Sequence, residues 1–305
     1  MRRLLVAFAL IGFASDASAG EFEMPVLRGA SDDYASSRYV AAPPTYTRWS
    51  GLYFGGQIGL SMAGVDFGNS VKSLVDFAVR NSVLANQVSN WTALGKGATN
   101  GTGFGGFVGY NFQWDDVTLG LEANYTRTSL SQSASDSMSR SFLDNSNAPA
   151  GHNYTYDATV NAKASITLTD FATFRARGGW AAGNFMPYAF GGLAVARANV
   201  NRSATVTANL TDNFDATTVV TDPVTGGLIT VTTPQSVTSS LVLPGTQTSV
   251  QNGTFAFGFT AGVGLDVLVM PNMFVRGEYE YVQFPNIQSI SVNINTVRLG
   301  GGLKF

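Results

Sequence analysis

Apolar and polar residues alternate with a period of two along much of this chain. The first such segment begins at Gly51, where every second position is apolar and the positions between are glycine or polar. Its apolar positions are Leu52, Phe54, Ile58, Leu60 and Met62. Strict alternation of this kind indicates a β-strand with one apolar and one polar face.

The same alternation returns in seven further segments. They cover residues 104–114, 117–125, 167–180, 187–195, 254–267, 275–281 and 296–305. Short turns near Asp115, Gly183 and Pro271 alternate with long connections at 64–101, 130–165, 199–253 and 282–291. In the fifth segment the parity changes between Phe190 and Leu193, which predicts a β-bulge at Gly191-Gly192.

An even number of strands, with short turns at one end and long loops at the other, is typical of outer-membrane barrels. Each segment is long enough for a tilted crossing of about 9–11 residues. The pattern therefore predicts an all-β fold, an eight-stranded antiparallel transmembrane up-and-down β-barrel with long extracellular loops.

Two of the long connections carry patterns of their own. Residues 70–90 predict a short amphipathic helix. Within 199–253, a turn sequence at 222–227 lies between strand-like runs. These runs predict an extracellular hairpin that extends the barrel wall, with a ten-stranded barrel as the alternative. The hairpin is favoured because the runs lack the aromatic lipid face of the other strands.

Strand parity places nine charged side chains inside the barrel. They are Glu122, Arg175, Arg177, Asp266, Arg276, Glu278, Glu280, Arg298 and Lys304. Charges in a narrow lumen must be paired or hydrated, and an eight-stranded barrel is about wide enough for its own side chains. One interpretation is an ion-pair network that fills the barrel. The other is a narrow hydrated path, because inward glycines at 55, 59, 105, 109, 258, 262, 264, 300 and 302 leave space.

The first residues are typical of an export signal. Arg2 and Arg3 precede an apolar run at 4–13, and Ala17-Ser18-Ala19 forms a small-residue cleavage site. Residues 1–19 are therefore predicted to be a cleaved signal peptide, 20–48 a flexible periplasmic segment and 49–305 the barrel.

Composition agrees with a membrane location and argues against catalysis. Only 12% of residues are charged, against about 25% in soluble domains, and the net charge of -2 gives no support for nucleic-acid binding. There is no cysteine, and His152 is the single histidine. No catalytic, metal or cofactor site is predicted. The G-x-G-x-x-G at 101–106 lacks the strand-before and helix-after context of a dinucleotide site.

The C-terminal segment predicts an interaction with the outer-membrane assembly machinery. Val297, Leu299, Leu303 and the terminal Phe305 share the outward parity. An extended segment of this type can add as a strand to an exposed sheet edge. The alternative is that Phe305 is one ring of an aromatic girdle. The other expected partners are outer-membrane lipid and lipopolysaccharide, and the sequence identifies no partner for the extracellular loops.

Several segments resemble a known family in the same order along the chain. They are Trp49-Ser50-Gly51-Leu52-Tyr53-Phe54-Gly55-Gly56, Arg175-Ala176-Arg177-Gly178-Gly179, Pro187-Tyr188-Ala189-Phe190-Gly191-Gly192-Leu193-Ala194, Glu278-Tyr279-Glu280-Tyr281 and Val297-Arg298-Leu299-Gly300-Gly301-Gly302-Leu303-Lys304-Phe305. They are similar to the alphaproteobacterial outer-membrane immunogenic proteins, small porin-like barrels of OmpA-like architecture. The resemblance implies an integral protein of the Gram-negative outer membrane. The expected function is a structural or surface-interaction role without catalysis; the alternative is a narrow porin for small solutes.

Overall fold

Nine strands and two short helices make up the fold of the described residues. The computed structural model describes residues 47–91 and 94–305; the predicted signal peptide and residues 20–46 lie outside the described residues. The elements are β1 (Gly51–Asp66), α1 (Lys72–Val79), α2 (Ala85–Val88), β2 (Lys96–Trp114), β3 (Val117–Leu143), β4 (His152–Trp180), β5 (Phe185–Thr221), β6 (Leu228–Ser240), β7 (Gln247–Met270), β8 (Met273–Ile287) and β9 (Ile290–Lys304).

Eight of the strands close into a ring. Antiparallel pairs join β1, β2, β3, β4, β5, β7, β8 and β9 in that order, and β9 pairs with β1 from Lys304↔Tyr53 to Ser291↔Asp66. The prediction of an eight-stranded antiparallel up-and-down barrel is confirmed. Closure leaves the ring strands without a free edge, as a barrel in lipid requires.

The ninth strand, β6, extends one side of the ring. β5 pairs with β7 as far as Ala204 and then with β6 over Asn209–Thr221. β5 and β6 thus form a hairpin above the ring, so the hairpin prediction for 199–253 is confirmed and the ten-stranded alternative is wrong.

The prediction that 130–165 and 282–291 are loops is wrong. β3 and β4 pair from Val117↔Trp180 to Leu143↔Thr155, far into the predicted loop. β8 and β9 are separated by only two residues, Gln288 and Ser289, both with positive φ. The outer parts of β3, β4 and β5, together with β6, form a tall sheet, here called the wall: residues 129–143, 152–169, 199–221 and 228–240.

The polarity of the strands reverses between the lower barrel and the wall. In the lower part of β4, Phe174 and Trp180 are exposed on the outside, and Arg175 and Arg177 are buried inside. In the wall the inward side chains are small and apolar, and the outward ones are polar. The inward residues of β4 there are Ala158, Val160, Ala162, Ala164, Ile166 and Leu168, all buried. These strand extensions carry no outward apolar face, so the pattern of lipid-facing residues did not predict them.

Large apolar side chains form a continuous belt around the outside of the lower barrel. Every ring strand contributes to it, and the members are exposed on an otherwise well-packed molecule. They include Phe54, Ile58, Leu60, Phe104, Phe112, Leu121, Phe174, Leu193, Phe257, Val263, Val275, Val297 and Leu299. A belt of this size needs a non-aqueous surrounding, because soluble monomers rarely expose large contiguous apolar patches.

The connection between β1 and β2 folds into the open end of the ring. This segment, residues 67–91, is here called the plug, and its α1 and α2 confirm the helix predicted within 70–90. Val75, Val79, Leu84 and Val88 are buried against the apolar inner face of the wall. Arg202 of β5 joins the plug to the β8–β9 turn by donating to the carbonyl oxygens of Ser70 and Gln288, both at 2.9 Å.

No helix in the described part of the chain is long and apolar enough to span a membrane.

One local prediction fails at the fifth segment. β5 pairs with β4 and β7 without a register shift at Gly191 or Gly192. Tyr188 and Phe190 are buried inside the barrel, whereas Leu193 is exposed on the belt. The parity change therefore reflects inward aromatic side chains and not a bulge.

Candidate functional site

The lower barrel contains a layer of eight buried charged side chains, here called the ion layer. Its members are Glu122, Arg175, Arg177, Asp266, Arg276, Glu278, Glu280 and Arg298, each at most 4% exposed. Four arginines and four carboxylates give the layer a formal charge of zero. Eight of the nine charged residues assigned to the lumen from sequence are brought together here.

Glu122 is the centre of one half of the ion layer. Its Oε1 accepts from Arg175 Nε at 3.0 Å, and its Oε2 accepts from Arg177 at 3.1 Å and from Arg276 at 2.8 Å. Asp266 completes this half, accepting from Arg276 Nε at 2.8 Å and from Arg177 at 2.7 Å. Each carboxylate is thereby shared among two or more guanidinium groups.

Arg175 joins this half to the other. It donates to Glu278 at 2.8 Å and 2.6 Å, and it lies 3.4 Å from Glu280. Arg298 contacts both Glu278 and Glu280 and donates to Asn124 Oδ1 at 3.1 Å. The ion layer is thus one connected network across the whole lumen.

Strand register explains why these residues meet. Glu122 lies directly opposite Arg175, Asp266 opposite Arg276, and Glu278 opposite Arg298. Opposite charges at directly facing positions stabilise a strand pair. Period-two parity was therefore enough to place these six residues inside the barrel, and the short turn near Pro271 further predicted the pairing of Asp266 with Arg276.

Aromatic side chains pack beneath and between the charges. Tyr53 donates to Glu122 at 2.8 Å and Tyr188 to Glu278 at 2.9 Å. Guanidinium groups lie over aromatic rings, with Arg175 4.0 Å from the Phe190 centroid and Arg177 3.8 Å from that of Tyr188. Cation–π contacts of this kind strengthen when water is excluded. With Trp49, Phe107 and Phe274 these rings form the closed floor of the barrel.

The inward glycines do not leave the space that was inferred from sequence. A Cβ at Gly109 would overlap the Tyr53 ring, and one at Gly264 would overlap the Tyr188 ring. Phe190, Phe107 and Phe274 fill the equivalent positions beside Gly262, Gly55 and Gly302. An inward aromatic facing a glycine on the next strand was the sequence signal for this packing, and it was not recognised there.

Lys304 is a correction to the predicted lumen set. It is the one member of that set outside the ion layer, and its Nζ donates to the Arg48 carbonyl oxygen at 2.5 Å. The side chain lies at the end of the barrel that carries the short turns, where the last residues of β9 reach solvent. Parity identifies the face of a strand but not the depth at which a residue lies.

A polar layer separates the ion layer from the apolar core of the wall. Gln57 and Asn124 exchange hydrogen bonds of 2.8 Å and 3.2 Å, and Ser61 pairs with Thr296 at 2.9 Å. Within residues 47–91 and 94–305, no group of three or more acidic or histidine side chains is arranged to hold a metal ion. His152 lies far from the ion layer, paired with Asp212 at 2.9 Å near the tip of the wall.

The C-terminal residues lie on the belt. Val297, Leu299, Leu303 and Phe305 are exposed on the outside of the barrel. Phe305 stacks on Phe54 of β1 with ring centroids 5.7 Å apart, and its N–H donates to the Leu52 carbonyl oxygen. Recognition of this segment by the assembly machinery remains a prediction.

A closed antiparallel barrel with an outer apolar belt and an inner ion layer defines a protein of the transmembrane β-barrel class. The model of the outer membrane protein beta-barrel domain matches residues 34–305, so the chain belongs to that family. The protein is accordingly placed in the Gram-negative outer membrane. In such barrels the short turns face the periplasm and the long connections face outward, so we expect the wall and plug to lie on the extracellular side.

Several solved structures are similar to this chain. Ail, the attachment invasion locus protein of Yersinia pestis, is 13% identical over 84% of this chain and 99% of its own, with a TM-score of 0.31. Neisserial surface protein A is 13% identical over 84% and 98%, also with a TM-score of 0.31. The N-terminal β-barrel domain of Pseudomonas aeruginosa OprF is 12% identical over 82% and 97%, with a TM-score of 0.24. No curated protein matches the sequence.

Proposed function

We propose that this protein is a closed outer-membrane barrel with a structural or surface-interaction role and no catalytic activity. The observation that carries the proposal is the inaccessibility of the ion layer. Arg175 is 2% exposed, Arg276 3% and Glu280 0%. A passage wide enough for water would leave lumen-facing atoms accessible. The layer therefore favours a solid barrel interior over a hydrated path for solutes.

The wall supplies the surface for interaction. β5 has 37 residues, which at about 3.3 Å per residue extend about 120 Å. A membrane crossing uses only about 9–11 of them. The outward face of β3 in the wall consists largely of hydroxyl side chains suited to water and polar partners: Ser129, Ser131, Ser133, Ser135, Ser137, Ser139 and Ser141.

Conductance in planar bilayers tests the closed barrel. We expect the folded wild-type protein to give no steady steps. The variant Arg175→Ala/Glu278→Ala removes one charge of each sign from the ion layer and should give detectable steps, which shows that inserted barrels are being measured. Steady steps from the wild type, similar to those of the variant, would establish a conducting lumen and overturn the proposal.

We also propose that the wall makes this protein a surface antigen, as the resemblance to outer-membrane immunogenic proteins implies. β6 is exposed along its whole length and would be accessible to antibodies on intact cells. Antibodies against residues 228–240 should label intact cells. Antibodies against the turn at 271–272 should label only permeabilised cells, and equal labelling by both would contradict the proposal.

A further inference from the structure

Two arginines and an aspartate mark the upper limit of the belt on three adjacent strands. Arg127 follows Tyr125 on β3, Asp170 precedes Ala172 on β4, and Arg197 follows Val195 on β5. Each is the first outward residue beyond the apolar positions of its strand. The corresponding positions on β2 and β9 are the uncharged Thr102 and Asn295.

Strand pairing brings the three residues into one row. Arg127 lies opposite Asp170, and Asp170 lies opposite Arg197. Phe104 and Phe255 continue the row on either side, opposite Arg127 and Arg197. Both rings are more than 60% exposed. The row therefore presents two guanidinium groups between two lipid-facing aromatic rings.

The pairing within the row leaves binding capacity free. Arg197 Nη2 donates to Asp170 Oδ2 at 2.8 Å, and the Thr169 hydroxyl donates to the same oxygen at 3.0 Å. Asp170 is 17% exposed, whereas Arg197 is 52% exposed, so the carboxylate lies behind the guanidinium. A guanidinium has five N–H donors, and no carboxylate in the described residues forms an ion pair with Arg127. The row has a formal charge of +1.

The strands are irregular at this same level. Register shifts occur between Arg127 and Leu130 in the β3–β4 pair, between Leu168 and Asp170 in the β4–β5 pair, and between Ala198 and Val200 in the β5–β7 pair. Bulges bend a strand and redirect side chains, and they concentrate beside functional sites. Three neighbouring strand pairs are therefore irregular next to the row.

We propose that Arg127 and Arg197 bind the phosphate of an outer-leaflet glycolipid, the phosphorylated lipid A moiety of lipopolysaccharide. The row lies at the lipid–water boundary on the extracellular side, where that phosphate lies. Arginine binds phosphate with paired N–H donors. Phe104 and Phe255 contact the acyl chains below. Binding at this position fixes the depth of the barrel in the outer leaflet and determines which side of the barrel contacts the glycolipid.

Binding to purified lipopolysaccharide in detergent micelles tests the proposal. The variants are Arg127→Gln and Arg197→Gln, singly and together. The matched control is Lys163→Gln, which also removes one outward positive charge. Lys163 is on β4, about 23 Å along that strand from Asp170. Each arginine replaced should weaken binding about five-fold, the usual contribution of a basic residue at an anionic lipid surface. The control should bind as the wild type does.

Two further ligands identify what is recognised. Enzymatically dephosphorylated lipopolysaccharide should bind the wild type no better than the double variant binds the intact lipid. Sodium phosphate alone should neither bind measurably nor compete at millimolar concentration. Equal binding by the double variant, equal loss in Lys163→Gln, equal binding of the dephosphorylated lipid, or tight binding of free phosphate would each overturn the proposal. Heat-modifiable migration in gel electrophoresis confirms that each variant is folded.

Discussion

Glu122 forms ion pairs with three arginines of the ion layer, so its single carboxylate helps to balance three buried positive charges. Replacing it by Gln keeps the volume but leaves buried guanidinium groups short of negative charge. Removing one partner from a buried ionic group costs about 3–5 kcal/mol. We expect Glu122→Gln to lower the free energy of unfolding by this amount, measured by urea unfolding of the folded protein in detergent.

An exposed ion pair provides the control for this substitution. Lys72 and Asp76 lie 3.5 Å apart on α1, and both side chains are more than 40% exposed. Surface pairs contribute less than about 1 kcal/mol, so Asp76→Asn should leave the unfolding midpoint nearly unchanged. If Glu122→Gln behaves in the same way, water enters the ion layer, and a hydrated lumen is favoured.

Close contact between glycine and aromatic side chains gives a second prediction for single residues. A Cβ at Gly264 would overlap the Tyr188 ring, whose hydroxyl donates to Glu278. Overfilling a packed interior costs about 1–3 kcal/mol, so Gly264→Ala should lower the unfolding midpoint. Gly178→Ala is the matched control, because a Cβ there meets only Leu119 at 3.6 Å. Similar midpoints for the two variants would show that the lumen beside Tyr188 is not tightly filled.

Among the secondary-structure elements, the lower barrel was predictable, but of the wall only the β5–β6 hairpin was. In the lower barrel, aromatic and branched residues face lipid at every second position, as at Phe255, Phe257 and Phe259 of β7. In the wall the contrast between faces is between alanine or valine and serine or threonine, as in β4 at 158–167. The difference in hydropathy between the two faces of the wall is therefore small. The apolar face of the wall also points inward, opposite to that of the lower barrel, because water lies outside the wall and the apolar plug lies within.

The site was predictable to a similar extent. Direct cross-strand pairs such as Asp266 and Arg276 follow from parity and a short turn. The position of Lys304 outside the ion layer does not, because depth along the barrel axis depends on strand tilt and register. The aromatic floor under the charges also escaped prediction. Tyr53 and Phe107 stand on the polar parity, where their rings fill glycine-lined space and not lipid.

The terminal strand carries a prediction about assembly. Phe305 lies on the belt and stacks on Phe54 beside the seam where β9 closes on β1. If the assembly machinery recognises the C-terminal segment by strand addition, deletion of Phe305 should strongly reduce the heat-modifiable, folded fraction in the outer membrane. Folding of the purified chain into detergent should remain largely intact, because an exposed ring contributes little to the packed interior.

A ring elsewhere on the belt separates this role from simple anchoring. Trp114 is 59% exposed at the end of β2 next to the short β2–β3 turn, and it stacks on Phe112. Trp114→Ala should leave outer-membrane levels near those of the wild type. Normal levels of the Phe305 deletion, or an equal loss for both variants, would mean that Phe305 is only one ring of an aromatic girdle.

For the molecule as a whole, we expect the wall to face the outside of the cell. The chain has no cysteine, so single cysteines report position without background. Ser137→Cys lies on the exposed outer face of β3, and we expect a membrane-impermeant maleimide to label it on intact cells. Asp116→Cys, in the turn between β2 and β3, should be labelled only after the outer membrane is permeabilised. The reverse pattern would contradict the assigned orientation.

Because the polarity of the strands reverses, the wall and the lower barrel contribute differently to the heat capacity of unfolding. Opening the wall exposes Val160, Ile166 and Val206, together with the buried face of the plug, to water. Exposure of apolar surface to water raises the heat capacity. The belt, by contrast, is already surrounded by hydrocarbon when the barrel is folded. The heat-capacity increment of unfolding therefore belongs mainly to the half of the molecule that never touches lipid, and changing bilayer thickness leaves it nearly constant.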